Sequence, residues 1–297
     1  MKNEIPIIVG NSNQIVSICE KIPKLASINV PVFIQGERGT GKDLVATNIF
    51  YHSQNAEKEF YKIDCSILED ELNYIAIQLQ KETQEMFIYF DGIEKLNEYG
   101  QSLLYRAMEK NEIVIHRSSL LLKARIIASA DLTIPVLVKQ GLFREDLFLK
   151  LSTIKITLPS LKERKEDIPL LVHHFIKVLN TKYKKSINRI SEDLTKFLLT
   201  NRWYGNVGQL KNLLEGMVAL SSKRKLSLAN VPKEFLSDIP TAANNDVVIT
   251  PGISLEDYEK QIIKTNLEFM NGNRLQTAKI LGISERNLYR KIKQYDI

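Results

Sequence analysis

Cysteine and histidine are scarce in this 297-residue chain: there are two cysteines and four histidines. Cys19 and Cys65 lie far apart and the histidines are scattered, so the spacing matches neither a redox pair nor a zinc cluster. Both thiols are expected to be packing residues in a reducing compartment. Long apolar runs are also missing. No stretch reaches membrane-spanning length, and Met1-Lys2-Asn3-Glu4-Ile5-Pro6 leads into an apolar run too short for a secretory signal. A cytoplasmic protein without a membrane partner is the expectation. No internal repeat or low-complexity tract is evident. Hydrophobic residues at 44% and charged residues at 26% are ordinary globular values, and the length allows a sizeable core and more than one domain.

The net charge of +6 is unevenly spread. Between Asn271 and Ile297 stand Arg274, Lys279, Arg286, Arg290, Lys291 and Lys293 against only Glu285 and Asp296. A short terminal segment thus holds most of the excess positive charge, the footprint of a nucleic-acid reader.

One run speaks of phosphate. Gly36-Glu37-Arg38-Gly39-Thr40-Gly41-Lys42-Asp43 follows the apolar Val30-Pro31-Val32-Phe33-Ile34 and precedes the helical-looking Leu44–Ile49. Glycines let the backbone turn its N–H groups toward a phosphate, the helix N-terminus adds a favourable dipole, and Lys42 supplies a point charge. A nucleoside-triphosphate site is expected. The general pattern has Ser or Thr after the lysine to hold Mg²⁺, and here that residue is Asp43.

From about Ile7 to Leu158 strand-like runs (Val32–Gln35, Tyr61–Asp64, Met86–Phe90, Arg125–Ala128, Ile154–Leu158) alternate with longer helical stretches, which predicts a parallel sheet covered by helices, an α/β fold. From Lys165 to about Ser237 only helical patterns occur: Ile168–Leu179, Glu192–Thr200 and Val207–Leu220. Asp238 to Asp246 has no hydrophobic period and reads as flexible linker. Domain boundaries at 1–164, 165–238, 239–253 (linker) and 254–297 follow.

In the last segment, Ser254–Met270 is amphipathic. A helix through Arg274 and Ala278 then meets Gly282, suited to a helix-ending turn, and Ser284 is a good N-cap for Glu285–Lys293. Leu288 and Ile292, four apart, face inward. This pattern is a helix-turn-helix with a basic second helix, an all-α DNA-binding domain. Arg274, Ser284, Glu285, Arg286, Asn287, Tyr289 and Arg290 are candidates for DNA contact, those at the helix start for base edges, while Lys291 and Lys293 are candidates for phosphates. Double-stranded DNA is the expected partner.

These pieces together resemble bacterial enhancer-binding activators of the sigma-54 type, in which an AAA+ domain precedes a Fis-type helix-turn-helix. The resemblance spans nearly the whole chain. It rests on the loop at Gly36–Asp43, Phe143-Arg144-Glu145-Asp146-Leu147, Leu158-Pro159-Ser160-Leu161 through Leu171, Trp203-Tyr204-Gly205-Asn206-Val207, and Ala278, Leu281-Gly282-Ile283-Ser284 and Leu288-Tyr289-Arg290-Lys291. It implies a P-loop AAA+ parallel-sheet domain with a helical lid, ATP with Mg²⁺ as cofactors, self-association as a dimer or ring, and RNA polymerase as a partner. An acidic residue after the loop lysine is usual in this family, so Asp43 fits it. Starting at the AAA+ domain, the chain is expected to lack the family's receiver or sensor domain and control by its phosphorylation.

Departures from the family pattern bear on function. The family's sigma-54 contact loop, Gly-Ala-Phe-Thr-Gly-Ala, has no counterpart in Ser66–Glu85, which contains no glycine, so engagement of sigma-54 is not expected. Asp91, the candidate metal carboxylate, is followed by Gly92 where relatives carry the glutamate that activates water. Glu94 is the candidate substitute, and Asp64, which replaces the asparagine that restrains that glutamate, is a second candidate base. Arg144 matches the arginine that reaches a neighbour's γ-phosphate, but the second arginine is Lys150, which lacks the planar fork. Gly208 replaces the lid's sensor arginine, and Asp131 stands nearest the sensor asparagine. The favoured expectation is a sequence-specific transcription regulator that binds ATP but is weak or inactive in hydrolysis. An active ATPase remodelling a transcription partner and an architectural DNA-bending protein are the alternatives.

Overall fold

The computed structural model describes residues 5–54, 59–68, 86–110, 112–115, 118–121, 124–236, 254–270 and 273–295. The chain divides into two compact units, Met1–Val231 and Pro232–Ile297.

The first unit is built on five parallel strands: β1 (Val32–Gln35), β2 (Phe60–Asp64), β3 (Met86–Asp91), β6 (Ala124–Ala130) and β7 (Ile154–Thr157), in the order β2-β3-β6-β1-β7. The central strands are buried on both faces and are correspondingly continuous in apolar residues, as in Phe87-Ile88-Tyr89-Phe90. The pleat sends alternate residues to opposite sides. Val32, Ile34, Phe87, Tyr89 and Ile127 pack on α1 (Asn13–Ala26) and α2 (Lys42–Tyr51). Phe33, Ile88, Phe90, Ile126 and Ala128 pack on α3 (Glu98–Lys110), α4 (Ile134–Lys139) and α5 (Glu145–Leu151). On the α2 face Phe50, Phe60, Phe87 and Tyr89 form a continuous aromatic group, with Phe50 and Phe60 stacked at 4.9 Å and Phe60 and Tyr89 at 6.3 Å. Burying each ring completely contributes about 1.5–3 kcal/mol. An antiparallel pair, β4 (Glu112–Ile115) with β5 (Ser118–Leu121), precedes β6 and was not foreseen from the sequence.

The lid follows as α6 (Ile168–Tyr183), α7 (Glu192–Thr200) and α8 (Asn206–Leu220), with a short parallel bridge between β8 (Arg189–Ile190) and β9 (Lys225–Leu226). α7 begins where Ser191 accepts from the Leu194 N–H. The lid is tied to the sheet subdomain by Asp167, fully buried, which accepts from the N–H groups of Asn11 and Ser12 and from the Ser12 hydroxyl at 2.6–2.8 Å. A carboxylate from the lid therefore satisfies orphan donors at the start of α1.

The second unit holds a short helix α9 (Lys233–Leu236) and the helices α10 (Leu255–Phe269), α11 (Arg274–Ile280) and α12 (Glu285–Tyr295). Ile263, Ala278, Leu288, Ile292 and Tyr295 form its core. The linker expected over 239–253 lies outside the described residues, as does most of Ser66–Glu85.

Candidate functional site

The phosphate loop leaves the carboxyl end of β1 and enters α2, with Gly39 (φ +78) and Gly41 (φ +105) in the left-handed region that favours glycine. Lys42 Nζ donates to the carbonyls of Gly36 at 2.7 Å and Glu37 at 3.3 Å, lying across the curl of the loop. Burial pushes the Lys42 pKa down, against the opposing pull of Glu94, Asp91, Asp131 and Asp43.

The lid docks directly on this loop. Asn206, fully buried, receives the Leu161 N–H at 2.7 Å on its oxygen and donates to Glu37 Oε2 and the Arg38 carbonyl, both at 3.0 Å. Gly208 N–H donates to the Gly39 carbonyl at 3.1 Å. A Cβ on Gly39 would lie 2.2 Å from the Gly205 carbonyl oxygen, so only glycine permits the approach. Arg164, 2% exposed, donates from Nη2 to the Thr40 carbonyl at 3.0 Å. These lid contacts were invisible in the spacing alone, although Asn206 and Arg164 both stand in motifs singled out there. Beside the loop, Ile8, Val9, Leu44, Leu158, Phe175 and Val207 line a small, mainly apolar cavity next to the phosphate cradle. A larger apolar cavity of about 480 Å³ lies within the lid, between α6 and α7, away from the loop.

At the ends of β3 and β6 the polar groups are differently arranged. Asp91 Oδ1 accepts from the Ser129 hydroxyl at 2.8 Å, and Ser129 in turn receives the Gly92 N–H at 3.3 Å. Tyr89 Oη lies 3.0 Å from Asp43 Oδ1, 3.1 Å from Asp91 Oδ1 and 2.9 Å from Ser129 Oγ. Burial, with Asp43 and Asp91 adding to it, pushes the Tyr89 pKa far up and keeps its proton in place. Lys62 on β2 pairs with Asp43 and lies 3.4 Å from Asp91. Burial lowers its pKa, but the two carboxylates outweigh that and hold it above its ordinary value. Lys62, Tyr89 and Ser129 carried no motif signal; only the strand register brings them to the site.

Mg²⁺ was expected at Asp91. Its carboxylate and that of Asp43 are joined by the Lys62 ammonium, so one oxygen of each is already engaged with a cation. The donor set does not fit Mg²⁺ unless Lys62 is displaced.

The candidate bases differ sharply. Glu94 is half-buried and its Oε2 has no hydrogen-bond partner among the described residues. Burial raises its pKa, the charge of Asp131 acts the same way, and Lys42 opposes. Asp64 caps the turn at Cys65–Ile67, accepts from the Ser66 N–H and hydroxyl at 2.9 and 2.8 Å, and faces Lys95 at 3.4 Å. Those bonds lower its pKa and make it a poor base. Gly92 has φ +77. Asp131 accepts from the Thr133 N–H and hydroxyl. Arg144 forms a fork with Asp146, at 3.0 and 2.7 Å, and lies over the Tyr105 ring, while Lys150 pairs with Glu109. Both candidates for reaching a neighbouring nucleotide are engaged within their own chain.

In the second unit Gly282 (φ +65) turns the chain between α11 and α12, and the Ser284 hydroxyl accepts from the Asn287 N–H at 3.3 Å. Leu288 is fully buried and Ile292 nearly so. Glu285, Arg286, Tyr289, Arg290 and Lys293 are exposed on α12. Arg290 donates to Asn287 Oδ1 at 3.0 Å, and Arg274 lies 5.5 Å over the Tyr289 ring. Lys291, a candidate for phosphate contact, pairs with Glu259 at 2.6 Å, its side chain 17% exposed, and so ties α12 to α10.

A glycine-rich phosphate loop in a β2-β3-β6-β1-β7 parallel sheet, a helical lid seated on that loop and a helix-turn-helix define a P-loop AAA+ regulator with a DNA-binding domain. The family model for the sigma-54 interaction domain matches residues 9–161, that for the AAA+ ATPase lid domain 162–247, and that for bacterial regulatory proteins of the Fis family 254–295. The chain belongs to the family of transcription regulators built on the sigma-54 interaction domain. It is 31% identical over 312 residues to the regulatory protein AtoC of Escherichia coli, covering 98% of this chain and 68% of AtoC. Against the nitrogen fixation protein AnfA of Azotobacter vinelandii the identity is 30%, covering 98% of this chain and 57% of AnfA. The chain thus spans between about half and two-thirds of such relatives. The crystal structure of NtrX from Brucella abortus in complex with ATP has the same fold, with a TM-score of 0.71 at 24% identity, covering 98% of this chain and 70% of NtrX.

Proposed function

We propose that this regulator binds ATP through its AAA+ module, hydrolyses it slowly or not at all, and acts on transcription by RNA polymerase without engaging sigma-54. The observation that carries the reading is Gly92. At the strand end where the family's water-activating glutamate is expected there is a left-handed glycine, and the preceding Asp91 is held by Ser129 and Lys62. The complete phosphate loop, the apolar cavity beside it and the ATP complex of NtrX support nucleotide binding. The cis pairing of Arg144 with Asp146 supports a muted trans contact. The lack of the contact-loop motif supports independence from sigma-54. DNA recognition falls to α12, and since one short helix supplies few contacts, affinity comes from association of copies.

Glu94 favours a second reading, an ATPase with a displaced base: its carboxyl is raised in pKa, partly unpartnered and close enough to Lys42 to act on its charge. Genome-wide mapping of binding sites, followed by transcription in vitro with sigma-54 and with primary-sigma polymerase, tests the main proposal. Sites at primary-type promoters and no ATP-dependent stimulation of the sigma-54 enzyme are expected. Strong ATP-dependent stimulation of that enzyme overturns it.

A further inference from the structure

Parallel pairing sets Lys62 beside Tyr89 and Asp91 beside Ser129. Residues two apart share a face, so Lys62, Tyr89, Asp91 and Ser129 all project toward α2, whose second residue is Asp43. There they close a network. Asp43 Oδ2 accepts from Lys62 Nζ, and Asp43 Oδ1 lies 3.0 Å from the Tyr89 hydroxyl. Asp91 Oδ1 accepts from Ser129 at 2.8 Å, and Asp91 Oδ2 lies 3.4 Å from Lys62 Nζ. All four carboxylate oxygens at positions 43 and 91 therefore have a protein partner. Lys62 stays 45% exposed, open to a ligand at the loop.

In a P-loop site, the residue after the loop lysine and a carboxylate closing a nearby strand, here β3 two places from β1, flank the metal that bridges the terminal phosphates. Here an ammonium joins those two positions. Mg²⁺ demands near-octahedral oxygens and gives up water reluctantly. To enter it must take carboxylate oxygens from Lys62 and then sit within a few ångströms of the displaced positive charge. We infer that Lys62 is the resident cation of this site, its ammonium taking the place of the divalent metal between Asp43 and Asp91, so that the chain binds a nucleoside triphosphate without Mg²⁺. The inference rests on the nucleotide-site reading above. It also accounts for slow hydrolysis, because a single positive charge neutralises the leaving phosphates less than a divalent ion.

The test is equilibrium titration of the full chain with a fluorescent ATP analogue, in excess Mg²⁺ and in EDTA. The wild type is expected to bind equally in both, within about threefold. Lys62→Met keeps the stem beside the Tyr89 ring and removes the charge, leaving two carboxylates uncompensated. Its affinity in EDTA should fall at least about tenfold, with Mg²⁺ restoring it. Lys62→Gln, a polar replacement at the same half-exposed site, should behave alike, and circular dichroism verifies the fold of both. Loss of wild-type binding in EDTA overturns the inference while leaving the nucleotide site standing. Metal-independent binding by both variants removes the role of Lys62. Binding in neither condition by the wild type overturns the nucleotide-site reading itself, and this inference with it.

Discussion

Around the phosphate loop, lid and sheet meet through matched groups: Asn206 uses both ends of its amide, Gly208 reaches Gly39, and Arg164 reaches Thr40. One and two strands away, at the ends of β6 and β3, most polar groups are satisfied by one another. Asp91 is taken by Ser129 and Lys62, Asp64 by Ser66, and Gly92 offers no side chain. In the first region the lid completes the contacts, in the second the strands supply them to one another, and Glu94 is left partly unpartnered. The difference teaches that the phosphate loop doubles as the joint on which the lid seats, while the carboxylates beside it are engaged with neighbouring side chains.

The comparison breaks most severely at the joint. Gly39→Ala forces a Cβ into the Gly205 carbonyl and strains a backbone at φ +78. Urea denaturation should show a loss of about 4 kcal/mol or more, with nucleotide binding abolished. Asn206→Ala leaves the Leu161 N–H and the Arg38 carbonyl unmatched, for a smaller loss of about 2–4 kcal/mol. An unchanged denaturation midpoint for either variant would mean the lid does not seat on the loop.

On the other side, Glu94→Gln sharpens the contrast through pH. The folded pKa of Glu94 is raised, so folding favours its protonated form. The carboxylate therefore costs stability once pH rises above the unfolded value, increasingly up to the folded one and constantly beyond. Melting temperatures should show Glu94→Gln stabilising the protein at neutral pH and leaving it unchanged in acid below the ordinary glutamate range. Any residual turnover should fall by about tenfold or more in the same variant, and in the wild type should decline as pH drops through the raised pKa. A stability gain that is independent of pH would contradict the assignment.

The smallest effects lie in the reader. Arg286→Ala removes an exposed charge of α12 and should lower the salt slope of DNA binding by about one, measured by anisotropy titration. Lys291→Ala should leave that slope unchanged and lower the melting temperature of the second unit, because its charge is spent on Glu259. A slope change for Lys291→Ala as large as that for Arg286→Ala would put Lys291 on a phosphate instead.

The five strands of the sheet and the lid helices were legible because each has a strong apolar run of its own: Ile154–Thr157 and Glu192–Thr200 stand where the pattern put them. The β4–β5 pair escaped notice, since short runs such as Ser118–Leu121 carry no signal separating them from a loop. The phosphate loop was legible because glycines and a lysine must stand at fixed spacing. Lys62, Tyr89 and Ser129 were not, because strand register, a long-range property, decides which residues on three separate strands face Asp43. The pairing of Lys291 escaped notice for a similar reason: only the packing of α10 brings Glu259 to its face of α12.

The contrast between an intact cradle and an altered cutting edge is tested most directly by steady-state ATP turnover of the full chain assembled on DNA, alongside nucleotide affinity in the same sample. The expected result is saturable ATP binding, lost in Lys42→Ala, with turnover far below the roughly 10 s⁻¹ typical of enzymes and indifferent to Arg144→Ala. Turnover at ordinary rates, abolished by both substitutions, would contradict the account.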